Sequence, residues 1–194
     1  PNGGAQDGQE RPAPVLAPRA TVRDPVERVE REALGIYLQL PGLAGLAQMD
    51  ELPSQTFTVP VHRRVHEAIR AAGGAASYDK RVAELSANGV PLEKAEEAAA
   101  GWYVERVIEN ADDVVGRAVA QLAVETLPES RPDRVERYVW GIAVSLIRQG
   151  ITRQIGDLRS RLQRTPPDDP QYSALFSRLI ELEEQRRACD AQIE

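Results

Sequence analysis

The 194 residues carry 24 basic and 30 acidic side chains, a formal net charge of −6 that argues against non-specific nucleic-acid binding, which relies on basic surface. A single cysteine, Cys189, excludes an internal disulfide framework and suits a reducing cytoplasm. Abundant Ala, Leu, Arg and Glu with 5% aromatics favour an all-α chain, and the absence of a run of about 18 apolar residues excludes a helical membrane span.

The chain opens at Pro1 without an initiator Met and reads as a piece of a longer protein. Residues 1–23 are rich in Gly, Pro, Gln and Ala without periodicity, the composition of a flexible linker. Asp24-Pro25 then supplies an N-cap followed by proline at the first helical position. Val26, Val29, Ala33, Ile36, Tyr37 and Leu40 recur at helical spacing, and Pro41-Gly42 ends the run. A short helix over Leu43 to Met49 is predicted next. Pro60 opens another, with Val61, Val65, Ile69 and Ala72 inward and Gly73-Gly74 as its stop.

Ser77 is the expected cap of a helix that Asn88-Gly89 closes. Pro91 starts the next, which Gly101 is expected to break or bend. Asp112-Asp113 caps a further helix that ends before Leu127-Pro128. Residues 81–130 hold ten acidic and four basic side chains. That density suits a solvated face or, more sharply, a face that repels DNA and attracts a basic partner.

After Pro132 a helical pattern runs through Val135, Val139, Ile142, Leu146, Ile147, Ile151, Ile155, Leu158 and Leu162 to Thr165-Pro166-Pro167. At 1.5 Å per residue, residues 133–164 would span about 48 Å. That exceeds what a bundle of this size needs, so the far end should project. Gly141 is placed for close helix packing, and Gly150 for a bend or hinge where the bundle ends. The predicted architecture is a bundle over 24–147, a long connecting helix, and an antiparallel helical hairpin over 148–194.

The first hairpin arm (145–164) has five Arg and one Asp, and the second (170–194) three Arg and five acids, which favours antiparallel pairing. Ile151, Ile155, Leu158 and Leu162 face Tyr172, Leu175, Leu179 and Leu182 in a near-heptad seam that Cys189 and Ile193 continue. Phe176 and Ile180 form a second apolar stripe. It either widens the internal contact or faces a partner.

Catalytic chemistry is not expected. His62 and His66 are one turn apart, but "RRV" between them lacks the Glu of a zinc-protease helix and brings two Arg that repel a cation, so no metal site follows. No phosphate-binding glycine loop, nucleophile elbow or C-x-x-C occurs. Trp102 and Trp140 read as core anchors. No cofactor is implied.

Three segments resemble a known family. "REALGIYLQLPGLAG" (31–45) is similar to the first helix of the C-terminal helicase-binding region of bacterial DNA primase. "FTVPVHRRVHEAI" (57–69) resembles its Phe-x-x-Pro-x-[His/Glu] element, and "RQIGDLRSRLQRTPPDDPQYSALFSRLIELEEQRR" (153–187) its terminal hairpin. The resemblance implies a non-catalytic region that docks on the N-terminal collar of the hexameric replicative helicase of the DnaB type, coupling primer synthesis to unwinding in the cytoplasm. The primase catalytic domains would lie upstream of Pro1. Tyr172, Leu175, Phe176, Leu179 and Ile180 become the expected helicase contacts. The family's bundle can also receive the acidic tail of single-stranded-DNA-binding protein. Arg28 and Arg31 stand where its basic residues lie, without a matched motif. Direct nucleic-acid binding is not expected, unless Arg148, Arg153, Arg159, Arg161 and Arg164 form one open basic strip. Two other readings stay open: the helicase collar domain itself, whose shape is similar, and an unassigned helical ligand-binding bundle.

Overall fold

A computed structural model describes residues 24–193; the linker expected over residues 1–23 lies outside them. The described residues contain α-helices and short 3-10 turns but no strand. No described helix is long and apolar enough to cross a membrane. The helices are α1 (Pro25–Gln39), α2 (Pro41–Leu46), α3 (Pro60–Ala71), α4 (Gly74–Ala87), α5 (Leu92–Glu109), α6 (Asp113–Val124), α7 (Val135–Arg164) and α8 (Tyr172–Ile193).

Helix α1 is the axis of the bundle. Asp24 accepts from the Val26 amide at 3.0 Å to start it. Six consecutive residues, Ala33 to Leu38, are buried, so the helix is enclosed on every side rather than on one stripe. It packs on α2, α3, α5, α6 and α7. Each of Leu34, Ile36 and Leu38, almost completely buried, contributes about 1.5–3 kcal/mol relative to exposure. At Gly35 a Cβ would lie 3.1 Å from Leu127 Cδ2, so the missing side chain lets the segment after α6 close on α1. Gln39 then donates to the carbonyls of Leu122 (2.7 Å) and Glu125 (2.8 Å), tying off the C-terminal end of α6.

The same helix carries a buried acid. Glu30 has no exposed surface, yet its carboxylate accepts from the Thr58 amide (2.6 Å), the Thr58 hydroxyl (2.5 Å) and the Val59 amide (3.1 Å), and pairs with His62 Nδ1 (3.0 Å). Burial pushes its pKa up, but the hydrogen bonds from His62, Thr58 and Val59 outweigh burial and hold it below the ordinary carboxylate value. Val59 is the N-cap of α3 and offers no side-chain oxygen, so Glu30 caps that helix from outside. The contact joins the second segment that resembles the primase region to the residue just before the first. Glu30 stands immediately before 31–45, and Thr58, Val59 and His62 belong to 57–69.

Several local expectations are corrected. The short helix begins at Pro41, not Leu43, because proline at N1 is preorganised for a helix start. It ends at Leu46, and a 3-10 turn over Met49–Glu51 follows. Helix α4 begins at Gly74 rather than after Ser77. Its amides at Ala75 (2.9 Å) and Ala76 (3.2 Å) donate to Asp50, an acid 25 residues upstream that no local pattern reveals. Helix α5 runs unbroken through Gly101, whose face is open to solvent. Gly141 mediates no close approach, since a Cβ there would meet nothing within 4 Å. Trp140 is 44% exposed and Ile147 39% exposed, on an outer face of α7 rather than in the core.

Gly73 and Gly74 both have positive φ (99° and 63°), and a Cβ on Gly74 would lie 2.5 Å from Asp50 Oδ1. Gly74→Ala therefore strains the backbone and displaces the α4 cap together. The expected loss is about 1–3 kcal/mol, read as a lower urea midpoint with unchanged slope. An unchanged midpoint would show that Asp50 does not hold α4.

His66 lies in the centre of the bundle. It is fully buried, stacked on Phe57 (centroids 4.7 Å apart), edge-on to Tyr37 (5.7 Å), with Nδ1 2.9 Å from the Ser54 hydroxyl. Burial first, then the Arg70 charge, push its pKa down to about 4, against the opposing influence of Asp50. The folded chain thus refuses a proton that the unfolded chain binds near pH 6.5. Stability is complete above about pH 6.5 and falls as pH drops toward about 4, by about 1.4 kcal/mol per pH unit for this one group. Denaturant midpoints taken from about pH 7 down to about pH 4 should fall accordingly, and His66→Gln should flatten that slope whatever its own destabilisation; an equal slope in the variant would assign the acid sensitivity elsewhere.

Candidate protein-interaction surface

Helix α7 runs 30 residues, about 45 Å at 1.5 Å per residue, and serves two apolar cores in succession. Its first half contributes Val139, Ala143 and Leu146 to the bundle. Its second half contributes Ile151, Ile155 and Leu158 to a small core with Leu182 of α8, flanked by Leu175, Leu179 and Cys189. The helix is unbroken at Gly150, so flexure there does not take the form of a helix break. Just beyond, the Arg153 guanidinium donates to the Thr56 carbonyl (2.5 Å), and a Cβ on Gly150 would meet Thr56 Cγ2 at 3.9 Å. The Arg153 hydrogen bond ties α7 to the segment before α3.

The turn from α7 to α8 is built by its own backbone. Asp169 N donates to the Pro166 carbonyl (3.0 Å), and the Asp169 carboxylate accepts from Gln171 N (2.8 Å). Opposite charges set the pairing of the arms, with Arg148 on Asp190 and Arg159 on Glu183 (2.6 Å). Arg148, Arg153 and Arg159 are engaged in this way, and Arg164 Nε donates to the Ser160 carbonyl (3.0 Å). Of the five Arg of this arm, Arg148 and Arg159 are thus paired with acids of α8, and Arg153 is turned onto the bundle.

The five residues expected to contact a partner divide into two groups. Leu175 and Leu179 are half-buried in the seam with α7, and Tyr172 is half-buried beside the turn. Phe176 and Ile180 are 48% and 47% exposed, one helical turn apart. Their neighbours Ser173 and Ser177 are small and exposed, so both side chains stand clear of the helix surface. Arg178 and Glu181, at the margin, pair with each other at 2.8 Å. This is a narrow apolar ridge with polar borders. It can dock by losing water against a partner groove, and it has no group arranged for bond chemistry. Burial, then Asp190, push the Cys189 thiol above its ordinary range against the influence of Arg148, so it is a packing residue rather than a nucleophile.

The two Arg assigned to an acidic tail are held by acids of this chain. Arg31 meets Glu125 in a bidentate pair, Nε to Oε1 at 3.0 Å and Nη2 to Oε2 at 2.5 Å. Arg28 is exposed and lies 3.7 Å from Glu32. An incoming carboxylate at Arg31 would compete with Glu125. The two histidines are employed separately, His62 on Glu30 and His66 on Ser54. No group of three or more His, Cys, Asp or Glu that could hold a metal occurs among the described residues. The sequence pattern missed Glu30 as a structural acid, although its position one turn before Ala33 and Leu34, on the inward side of α1, is a signal that could have found it.

Comparison with known proteins places these features. The family described as DNA primase DnaG DnaB-binding matches residues 30–175. The DNA primase of Mycolicibacterium smegmatis is 32% identical over 195 residues, covering 96% of this chain and 28% of that protein. The DNA primase of Streptomyces coelicolor is 33% identical over 163 residues, covering 80% of this chain and 22% of its own length. The chain thus spans about a quarter of the length of the curated relatives it matches. Among solved structures, the helicase binding domain of primase from Mycobacterium tuberculosis superposes with a TM-score of 0.61 at 29% identity, covering 86% of this chain and 92% of that one.

Proposed function

Because this chain belongs to the DNA primase DnaG DnaB-binding family, we propose that it is the non-catalytic region through which a bacterial primase docks on the N-terminal collar of a hexameric, DnaB-type replicative helicase. Docking would keep primer synthesis at the unwinding fork, in the cytoplasm. The observation that carries the contact is the division of α8: Leu175, Leu179 and Leu182 are spent on the seam with α7, while Phe176 and Ile180 are left facing solvent. A monomeric hairpin gains nothing from that exposure, and an apolar ridge of this kind suits a groove between collar helices. The bundle supplies the base from which α7 projects, with Gly150 as the proposed point of flexure.

The test is a calorimetric titration of the chain into the helicase of the same bacterium. A saturable complex that forms with the isolated collar as well as the full ring supports the reading. No heat and no co-elution at concentrations far above those of typical protein complexes would overturn it.

A further inference from the structure

A second apolar feature lies on the bundle, away from the hairpin. Helices α2, α4 and the start of α5 enclose an open groove of about 880 Å3, to which α8 contributes nothing. Its size falls in the upper part of the range of about 300–1,000 Å3 that binding clefts occupy. Leu46, the last residue of α2, is 68% exposed, and Leu92, the first residue of α5, is 61% exposed; both line this groove. Tyr78 and Val82 of α4, both half-buried, form apolar lining between them. Two large apolar side chains held open over an apolar floor need a partner surface to remove them from water.

The charge of the lining says what kind. Among the described residues its charged side chains are Asp50, Asp79 and Glu96, all acidic, and no Lys or Arg lines it. Asp50 is engaged at the start of α4, whereas Asp79 and Glu96 stand on the α4 and α5 walls. Burial and the neighbouring Asp50 push Asp79 above the ordinary carboxylate range. Burial, then Glu96 and Asp79, likewise push the Tyr78 phenol up. Burial is the larger cause of both displacements and the neighbouring acids add to it; the acidic lining itself is what favours an added positive charge. By contrast, the neighbouring cleft that holds Trp102 mixes Lys80, Arg81 and Arg106 with Glu84 and Glu109.

We infer that the groove between α2, α4 and α5 is a docking site for a cationic amphipathic helix of a partner protein, its apolar stripe seated between Leu46 and Leu92 and its Arg or Lys side chains against Asp79 and Glu96. Helix-in-groove recognition needs these two parts, an apolar trough and a rim of opposite charge. The site is independent of the Phe176–Ile180 ridge and would give the bundle a contact of its own.

The experiment uses the isotope-labelled 194-residue chain and synthetic helices of about 14 residues with Leu at heptad-like spacing, flanked by Arg in one version and by Glu in the other. The Arg helix should shift the resonances of Leu46, Tyr78, Val82 and Leu92 saturably, and the Glu helix should bind at least about tenfold more weakly. Leu46→Ser with Leu92→Ser, both solvent-facing and so compatible with folding, should lower affinity about tenfold or more. Asp79→Asn with Glu96→Gln should remove most of the preference for the Arg helix. Equal binding of both helices, shifts centred on Phe176 and Ile180, or no saturable binding would overturn the inference. So would movement of the groove resonances when residues 1–23 are deleted, because the occupant would then be this chain itself.

Discussion

Phe176→Ala with Ile180→Ala is expected to lower affinity for a DnaB-type helicase by about a hundredfold or more, with far-ultraviolet circular dichroism and the denaturation midpoint close to those of the parent chain. The size follows from the chemistry of interface anchors. Truncating a central aromatic or aliphatic anchor costs about 2 kcal/mol or more, and each step of about 1.4 kcal/mol is tenfold in affinity. The fold is spared because both side chains are about half exposed and neither belongs to the small core formed by Ile151, Ile155, Leu158 and Leu182. Leu182→Ala is the contrasting variant. It empties the centre of that core, so it should loosen the hairpin and reduce binding through misfolding rather than through lost contact. Retention of affinity by the Phe176/Ile180 variant would keep the helicase as partner and move its contact off α8.

The second large effect is on stability. Glu30→Ala should destabilise the chain by about 3–5 kcal/mol, since it leaves His62, the Thr58 amide and hydroxyl and the Val59 amide without their shared acceptor inside the bundle. For a chain of this length the melting midpoint should fall by roughly 10 °C. Glu30→Gln keeps the volume but not the charge, and offers a donor where the surroundings already donate, so it should recover only part of the loss. The acid dependence follows from the direction of the shift. Because the folded carboxylate titrates below its ordinary pKa, its stabilisation is complete above that pKa and disappears as pH falls through the lower, folded value. A Glu30→Ala midpoint within about 1 kcal/mol of the parent would mean that Glu30 does not hold the start of α3.

Much of the helical framework was legible because it follows from local rules. Asp24-Pro25 and Asp112 announce helix starts by their own side chains, and the structure finds both carboxylates on the amides of the first turn. The seam of α7 and α8 was legible from periodicity and opposite charge. Illegible features all depend on residues distant in the chain. Asp50 caps α4 from 25 residues away, Glu30 caps α3 from 29, and Gly35 matters only because Leu127 comes to it. Trp140 was misassigned because periodicity reports that a side chain is apolar, not whether another helix arrives to cover it. The exposed ridge was legible only as a surplus stripe; whether it packed inward needed the structure. The groove beside α2 was invisible, since its walls come from three helices and its exposed lips from two helix ends.

The unbroken course of α7 has a mechanical consequence. With the proposed flexure at Gly150, the ridge at Phe176 and Ile180 would sit near the far end of a lever that starts beside the Arg153–Thr56 hydrogen bond. From Gly150 to the end of α7 at Arg164 is about 20 Å of helix, at 1.5 Å per residue. A rotation of about 10° at that point would sweep the ridge through about 3–4 Å, over half the rise of one helical turn, without any change inside the hairpin itself. A small repacking around α1 would be read out at that distance as a change of address on the partner's surface.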